Sequence, residues 1–188
     1  MTALIKNGSI DLSKRSFKPL KKIRVGLGWD VQGDALDLDV SAFLCKQVNA
    51  EPKLLSESHF IFYNNLSTPN KSVVHSGDNR TGDGDGDDES IAIDLSLLEP
   101  EINEISLIVT IHEGLENQKN FSMVKNAFIN IYDDSGKVLC GYKLNELYTN
   151  ETAVQFGSLC KINGSWNFKA VGAGYLLSLG DFVDGYLK

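Results

Sequence analysis

Apolar and polar residues alternate with a period of two along most of this chain, which is the pattern of β-strands that bury one face. The clearest example surrounds the dipeptide Asn163-Gly164. After it, apolar residues at 166, 168 and 170 alternate with polar ones, and before it Val154, Phe156, Cys160 and Ile162 are predicted to form the matching apolar face. Because Asn-Gly readily adopts the two positive φ angles of a tight turn, the pattern predicts a β-hairpin.

The same alternation predicts several further strands and little helix. A second hairpin is predicted from residues 128–132 and 138–144, joined by the turn Asp133-Asp134-Ser135-Gly136. Other predicted strands cover residues 23–28, 36–45, 60–63, 90–95 and 105–111, and short helical segments are predicted at 121–124, at 144–148 and after Tyr175. Many short strands separated by turn residues predict an all-β protein: a β-sandwich of two antiparallel or mixed sheets with a few short helices, in one domain over residues 1–188.

Composition and charge narrow the class of protein. The chain has 188 residues, 42% apolar and 23% charged, as in ordinary soluble domains. Its 25 acids outnumber 18 Lys and Arg, a net charge of −7, and we identify no basic cluster, so no nucleic-acid partner is expected. Cys45, Cys140 and Cys160 are far apart and are expected to be buried thiols of a reducing compartment. Residues 1–14 lack the apolar core of a signal peptide, and no run reaches membrane-spanning length, so we expect a cytoplasmic protein with no transmembrane segment.

Most of the net charge lies in one segment. Six acids and one base stand between Asp78 and Glu89, a local net charge of −5, and glycines are interspersed at 77, 82, 84 and 86. Like charges at this density repel one another, and glycine disfavours both helix and central strand, so the segment is predicted to be a loop. Two interpretations are open: a solvated acidic surface loop, or a loop whose charge is neutralised by a bound cation.

The spacing of the acids favours the bound cation. Asp83, Asp85 and Asp87 occupy every second position with glycines between them, so the backbone can bend to bring several carboxylates to one ion. A donor set of oxygens without Cys or His suits Ca²⁺ better than zinc, and Mg²⁺, which demands tight octahedral geometry, is the alternative ion. The segment is not an EF-hand, because the required glycine, final acid and flanking helices are missing.

A second acidic element lies in a predicted strand. In Leu36-Asp37-Leu38-Asp39-Val40 the alternation puts both acids on one face and the apolar residues toward the core. Two carboxylates in neighbouring positions on one face repel each other unless a cation lies between them. With the loop acids they total eight carboxylates, which favours two Ca²⁺ ions over one, and Asn64, Asn65 and Asn79 could add amide oxygens.

Motifs along nearly the whole chain carry a family resemblance. They are Val25-Gly26-Leu27-Gly28-Trp29-Asp30, Asp37-Leu38-Asp39, the segment Phe60-Ile61-Phe62-Tyr63-Asn64-Asn65, the acidic run of residues 77–89, Val109-Thr110-Ile111-His112, residues 124–129, Glu151-Thr152-Ala153, and residues 166–172. Together they resemble the TerD family of tellurium-resistance and stress-response proteins. The resemblance covers about residues 4–175, and the tail of residues 176–188 matches poorly.

This resemblance implies a cytoplasmic β-sandwich that binds Ca²⁺ through the acidic loop and the Asp-Leu-Asp strand, in bacteria that withstand tellurite, phage or other chemical stress. The implied partners are other proteins of the stress-response system, or the inner membrane through peripheral attachment. The residue patterns and the resemblance together give one set of candidate metal ligands: Asp37, Leu38, Asp39, Asn64, Asp78, Asn79, Asp83, Asp85, Asp87, Asp88 and Glu89.

The sequence offers little that would support catalysis. Direct tellurite chemistry would need thiols or a redox cofactor, and Gly26-Leu27-Gly28 is only a fragment of a dinucleotide-binding motif. No nucleophile elbow accompanies the histidines. His75 is expected on the surface, the alternative being a position next to the acids that would bind the metal, and Trp29, Trp166 and Phe168 are expected in the core. We therefore expect a non-enzymatic module that binds Ca²⁺. The alternatives are Ca²⁺-dependent binding of a phosphate or nucleotide ligand, and a metal-dependent hydrolase.

Overall fold

Two β-sheets make up most of the backbone in the computed structural model, which describes residues 2–16, 18–31, 36–79 and 86–188. Helix α1 (Leu179–Leu187) follows the last strand, and short 3-10 helices cover Ser13–Arg15, Glu57–His59 and Phe121–Met123. The strands, in chain order, are β1 (Thr2–Leu4), β2 (Ser9–Asp11), β3 (Lys22–Val31), β4 (Leu38–Val48), β5 (Glu51–Leu54), β6 (Phe60–Ile61), β7 (Val73–His75), β8 (Glu89–Asp94), β9 (Glu104–Ile111), β10 (Val124–Asp133), β11 (Val138–Lys143), β12 (Ala153–Ile162) and β13 (Ser165–Tyr175).

The two sheets face each other across an apolar core. The first has the strand order β1-β11-β10-β3-β8-β7; the second has the order β2-β13-β12-β9-β4-β5, with β6 also paired to β4. Among the described strands, every pair is antiparallel except β1 with β11. Both sheets send fully buried residues into the core, including Leu27, Ile91, Leu107 and Phe156. The predicted all-β sandwich is confirmed, with one mixed and one antiparallel sheet.

Both predicted hairpins are present. Asn163 and Gly164 have φ angles of 50° and 82° between β12 and β13, as a tight two-residue turn requires. The second turn joins β10 to β11, and Gly136 has a φ of 81° there. The core positions expected for Trp29, Trp166 and Phe168 are also confirmed.

One predicted strand face is wrong. Cys160 is only half-buried and Ile162 is 51% exposed, although they were expected to share the apolar face of Val154 and Phe156. The pairing register of β12 shifts between Gln155 and Gly157 with respect to both neighbouring strands. Such a bulge adds one residue and moves every later side chain to the opposite face, so Leu159 is buried instead.

The C-terminal helix packs on the outer face of the second sheet. Ser178 caps α1 reciprocally with Asp181, and the helix buries Phe182 while Tyr186 stacks on Phe43 of β4, with ring centroids 4.6 Å apart. The helix predicted at residues 144–148 is absent from this described stretch, in which Leu147 points into solvent and is 98% exposed. None of the helices in the described ranges is long and apolar enough to span a bilayer.

Candidate metal centre

Three carboxylates converge at the start of β4. Leu36, Leu38 and Val40 are buried, as predicted, so Asp37 and Asp39 project from the opposite face toward Asp78. These three aspartates each place a carboxylate oxygen within 4.8 Å of the other two. Two oxygens bound to one Ca²⁺ lie at most about 5 Å apart, because each Ca–O distance is about 2.3–2.6 Å. The geometry therefore fits one ion shared by the three carboxylates. The Leu38 side chain is buried in the core, so Leu38 could bind an ion only through its main-chain carbonyl.

The Asp39 carboxylate is buried among other negative charges. Asp39 is 2% exposed, and burial, reinforced by the charges of Asp37 and Asp78, raises its pKa to about 7. His112 opposes that rise from 3.5 Å, measured from its Nδ1 to Oδ2 of Asp39. Burial and the same carboxylates also raise the pKa of Tyr63. A cation at this point would stabilise the ionised carboxylates.

A fourth carboxylate, that of Glu89, lies buried behind the cluster. Its Oε2 accepts a hydrogen bond from the Val40 N–H at 2.8 Å, and its Oε1 accepts one from the Asn79 N–H at 3.2 Å. Burial nevertheless raises the pKa of Glu89 to about 8. Glu89 therefore joins the two sheets to the acidic loop through backbone hydrogen bonds.

His75 is buried beside Glu89, so the expectation of a surface histidine is wrong. Alternation along β7 turns His75 inward together with Val73. Its Nδ1 accepts from the Gly77 N–H and its Nε2 donates to the Val40 carbonyl, both at 3.0 Å, which fits a neutral ring. Burial lowers the pKa of His75, in agreement with that assignment.

Asp87 does not join the cluster of Asp37, Asp39 and Asp78. Its carboxylate pairs with Arg24 and accepts a hydrogen bond from the Tyr132 hydroxyl at 2.9 Å, while the Arg24 guanidinium stacks over the Tyr132 ring. A Cβ at Gly26 would overlap the Asp87 carboxylate. A Cβ at Gly28 would likewise overlap the Gly86 carbonyl. These two strand glycines therefore make room for the returning limb of the acidic loop, residues 86–88.

The returning limb is also fastened to β3 by backbone hydrogen bonds. The Asp88 N–H donates to the Leu27 carbonyl at 2.7 Å, and the Asp88 carboxylate accepts from the Trp29 N–H at 3.0 Å. The Asn79 side chain donates to the Asp88 carbonyl at 3.3 Å, which joins the two limbs of the loop.

The remaining candidate metal ligands are Asn64, Asn65, Asp83 and Asp85. Asn64 is exposed in the turn after Tyr63, and the Asn65 amide donates to the Phe60 carbonyl at 2.6 Å. Asp83 and Asp85 lie outside the described residues.

Sequence reasoning missed two neighbours of the cluster, His112 and Tyr63. His112 follows β9, and its N–H donates to the Asp37 carbonyl at 2.9 Å. Its ring meets the ring of Tyr63 edge to face, with centroids 5.8 Å apart. The pairing of β4 with β9 brings His112 to the cluster, and the pairing of β4 with β6 brings Tyr63, so no spacing along the chain could have revealed them. Both residues and Asp39 line a cavity of about 310 Å³ that extends to Gly180 at the start of α1.

Comparison with known proteins supports the family resemblance. The model of the TerD domain matches residues 1–186. The tellurium resistance protein TerD of Serratia marcescens is 44% identical over 177 residues, covering 92% of this chain and 90% of that protein. General stress protein 16U of Bacillus subtilis is 42% identical over 189 residues, covering 98% and 96%. A crystal structure of a telluride resistance protein (TerD) homologue from Streptomyces coelicolor shares the fold with a TM-score of 0.66 at 22% identity, covering 87% of this chain and 95% of that one.

Proposed function

This chain belongs to the TerD family of tellurium-resistance and stress-response proteins, and from that premise we propose that it is a calcium-binding, non-enzymatic module of a bacterial stress-response system. One observation carries the proposal: the carboxylates of Asp37, Asp39 and Asp78 converge within 4.8 Å. The burial of Asp39 among like charges supports it, because such a carboxylate is costly to ionise without a cation beside it.

The donor chemistry favours Ca²⁺ as the ion. The converging side chains supply only hard oxygen donors, which suit Ca²⁺ and Mg²⁺ and not the softer metals. Ca²⁺ accepts six to eight oxygens in irregular arrangements, whereas Mg²⁺ keeps a strict octahedron and several waters. We propose two ions: one at Asp37, Asp39 and Asp78, and a second held with help from the remaining acids of the loop, of which Asp83 and Asp85 are candidates.

The test is calorimetric titration of chelator-stripped protein with Ca²⁺ and, separately, with Mg²⁺. The Asp39→Asn variant should lose at least tenfold in Ca²⁺ affinity, equivalent to about 1.4 kcal/mol or more. The matched control is Asp134→Asn, which removes the same charge from an exposed turn and should bind Ca²⁺ as the wild type does. Absence of Ca²⁺ binding, equal affinity for Mg²⁺, or an equal effect of both variants would contradict the proposal.

The bound ions would act by ordering the acidic loop, and the ordered surface would contact other proteins of the stress-response system or the inner membrane. Retention of the wild-type protein and the Asp39→Asn variant on inner-membrane vesicles and on immobilised stress-response proteins, with and without Ca²⁺, tests this step. Binding that does not change when the metal is removed would contradict it.

The cavity beside Asp39 favours a second candidate function. Because Asp39 belongs to both the carboxylate cluster and the cavity lined by Tyr63 and His112, a ligand there could reach a bound ion. A phosphate or nucleotide ligand would then bind only in the presence of Ca²⁺, and a hydrolase would turn over phosphodiesters with Ca²⁺, Mg²⁺ or Mn²⁺. Parallel ligand titrations and turnover assays with and without metal distinguish these activities from a purely structural ion.

A further inference from the structure

Positive charge gathers at the end of the sandwich where β3 begins. Six of the 18 Lys and Arg residues lie between Lys14 and Arg24, and this stretch contains no acid. The expectation that the chain has no basic cluster is therefore wrong. The net charge of −7 is a sum over the whole chain and does not show that basic and acidic residues lie in different segments. Five of the six side chains are exposed, and only Arg24 is turned toward Asp87.

A cavity of about 340 Å³ lies within this basic region. Lys14, Arg15, Ser16 and Lys137 line it, together with Thr2 of β1. Lys137, at the β10–β11 turn, donates from its Nζ to the Arg15 carbonyl at 3.4 Å, so the two segments that form the cavity wall are joined. Cationic side chains on both sides of a recess this size can surround one or two phosphate groups, to which arginine binds through two parallel hydrogen bonds.

The nearby acids neutralise only part of this charge. Asp11 pairs with Lys14 at 3.6 Å, and the Asp133 carboxylate accepts hydrogen bonds from Ser135 and from the Lys137 N–H within its own turn. Arg15 has no acidic partner among the described residues, and neither has Lys18. An anion would therefore meet at least one guanidinium that no carboxylate already occupies.

Asp87 of the acidic loop reaches toward the basic end but is paired with Arg24, and Asp88 is too distant from the cavity to screen it. Pairing of Ile23 with Asp133 puts the start of β3 at the turn that carries Lys137, whereas Trp29, near the other end of β3, binds Asp88. The six residue-to-residue steps of extended strand from Ile23 to Trp29 span about 20 Å. This distance exceeds the Debye length of about 8 Å at physiological ionic strength.

We propose that the cavity at Lys14, Arg15, Ser16 and Lys137 is a metal-independent binding site for a phosphate group, carried by a small phosphorylated molecule or by a lipid headgroup. A long polyanion such as a nucleic acid fits less well. Its charge would extend over the acidic remainder of the protein, whereas a single phosphate group meets only the local positive field. The proposal does not depend on calcium binding.

The test is calorimetric titration of metal-free protein with inorganic pyrophosphate, at low and at physiological salt. Arg15→Gln should weaken binding at least tenfold, and Arg15→Lys should recover only part of the affinity, because lysine lacks the planar fork of donors. The matched control is Lys46→Gln, an exposed residue of β4 that does not line the cavity, and it should change affinity less than twofold.

Flotation with vesicles identifies the source of the phosphate. Binding of both pyrophosphate and phosphatidylglycerol vesicles, or of either one, supports the site when Arg15→Gln abolishes it, and phosphatidylcholine vesicles should not bind. Binding of neither probe overturns the proposal, as does an equal loss in the Arg15 and Lys46 variants. Binding of a single-stranded oligonucleotide without binding of pyrophosphate or vesicles would also overturn it.

Discussion

The buried carboxylate of Glu89 makes the stability of the metal-free protein depend on pH. Burial raises its pKa from the ordinary 4.5 to about 8, even though two backbone N–H groups donate to it. At about 1.4 kcal/mol for each pH unit, this difference corresponds to about 5 kcal/mol. Since the folded pKa is the higher one, the stabilising contribution is complete below about pH 4.5. It is lost as the pH rises and is absent above about pH 8.

The Glu89→Gln variant separates the charge from the shape of this side chain. Above pH 8 the variant avoids the cost of a buried charge. Its side-chain NH₂ group, however, replaces one of the two acceptor oxygens, so the N–H of either Val40 or Asn79 is left unpaired. An unpaired buried donor costs about 1–3 kcal/mol. Without metal, we therefore expect the variant to be about 2–4 kcal/mol more stable than the wild type at pH 8.5, and about 1–3 kcal/mol less stable at pH 4.5.

Urea unfolding followed by circular dichroism measures the stability of both proteins between pH 4.5 and 8.5. It locates the pH at which the variant becomes the more stable one, provided that the dependence of the unfolding free energy on urea concentration is the same for both proteins. Glu101→Gln, at an exposed position, is the control and should stay within about 0.5 kcal/mol of the wild type throughout. With excess Ca²⁺ the order at high pH should reverse, because bound metal stabilises the wild type more. A Glu89 variant that is less stable by the same amount at every pH would refute the reasoning.

Two further substitutions test the packing of the acidic loop and of α1. Gly26→Ala should displace the Asp87 carboxylate and with it the returning limb of the acidic loop, and thereby lower Ca²⁺ affinity about tenfold in calorimetry. Gly185→Ala, in open space on α1, should leave the affinity unchanged and add about 0.5–1 kcal/mol of stability. Phe182→Ala should cost about 3–5 kcal/mol in urea unfolding, whereas Leu147→Ala, 98% exposed, should cost less than about 0.5 kcal/mol. Equal effects within either pair would contradict the packing described.

The long strands could be predicted from sequence because each carries its own alternation or turn. The edge strands β1, β2 and β7 have three residues each, too few for a pattern, and β1 pairs with β11 more than 130 residues away. The bulge at Gln155 and Gly157 also escaped prediction, because nothing in the local pattern distinguishes an inserted residue from a regular one.

Within the candidate site, sequence reasoning worked for residues whose position follows from one strand. Asp37 and Asp39 share a face because alternation requires it. Asp78, from the acidic loop, lies beside them, and metal binding by the three carboxylates stays a prediction. The direction of Asp87 depends on Arg24 and on the space above Gly26, which belong to another strand. The burial of His75 likewise depends on how β7 packs, and a count of nearby acids cannot reveal it.

The hydrogen bonds at Val40 also bear on how the chain avoids association with other copies of itself. On the edge of β4 facing away from β9, Ala42 pairs with Ile61 of β6. Two residues earlier, where the described part of the chain offers no neighbouring strand, the Val40 N–H binds Glu89 and its carbonyl binds His75. Unpaired groups on a strand edge are templates for pairing with another molecule. The Glu89 and His75 side chains bind these groups of Val40, so the same contacts that hold the acidic loop also keep this strand edge from pairing with another molecule.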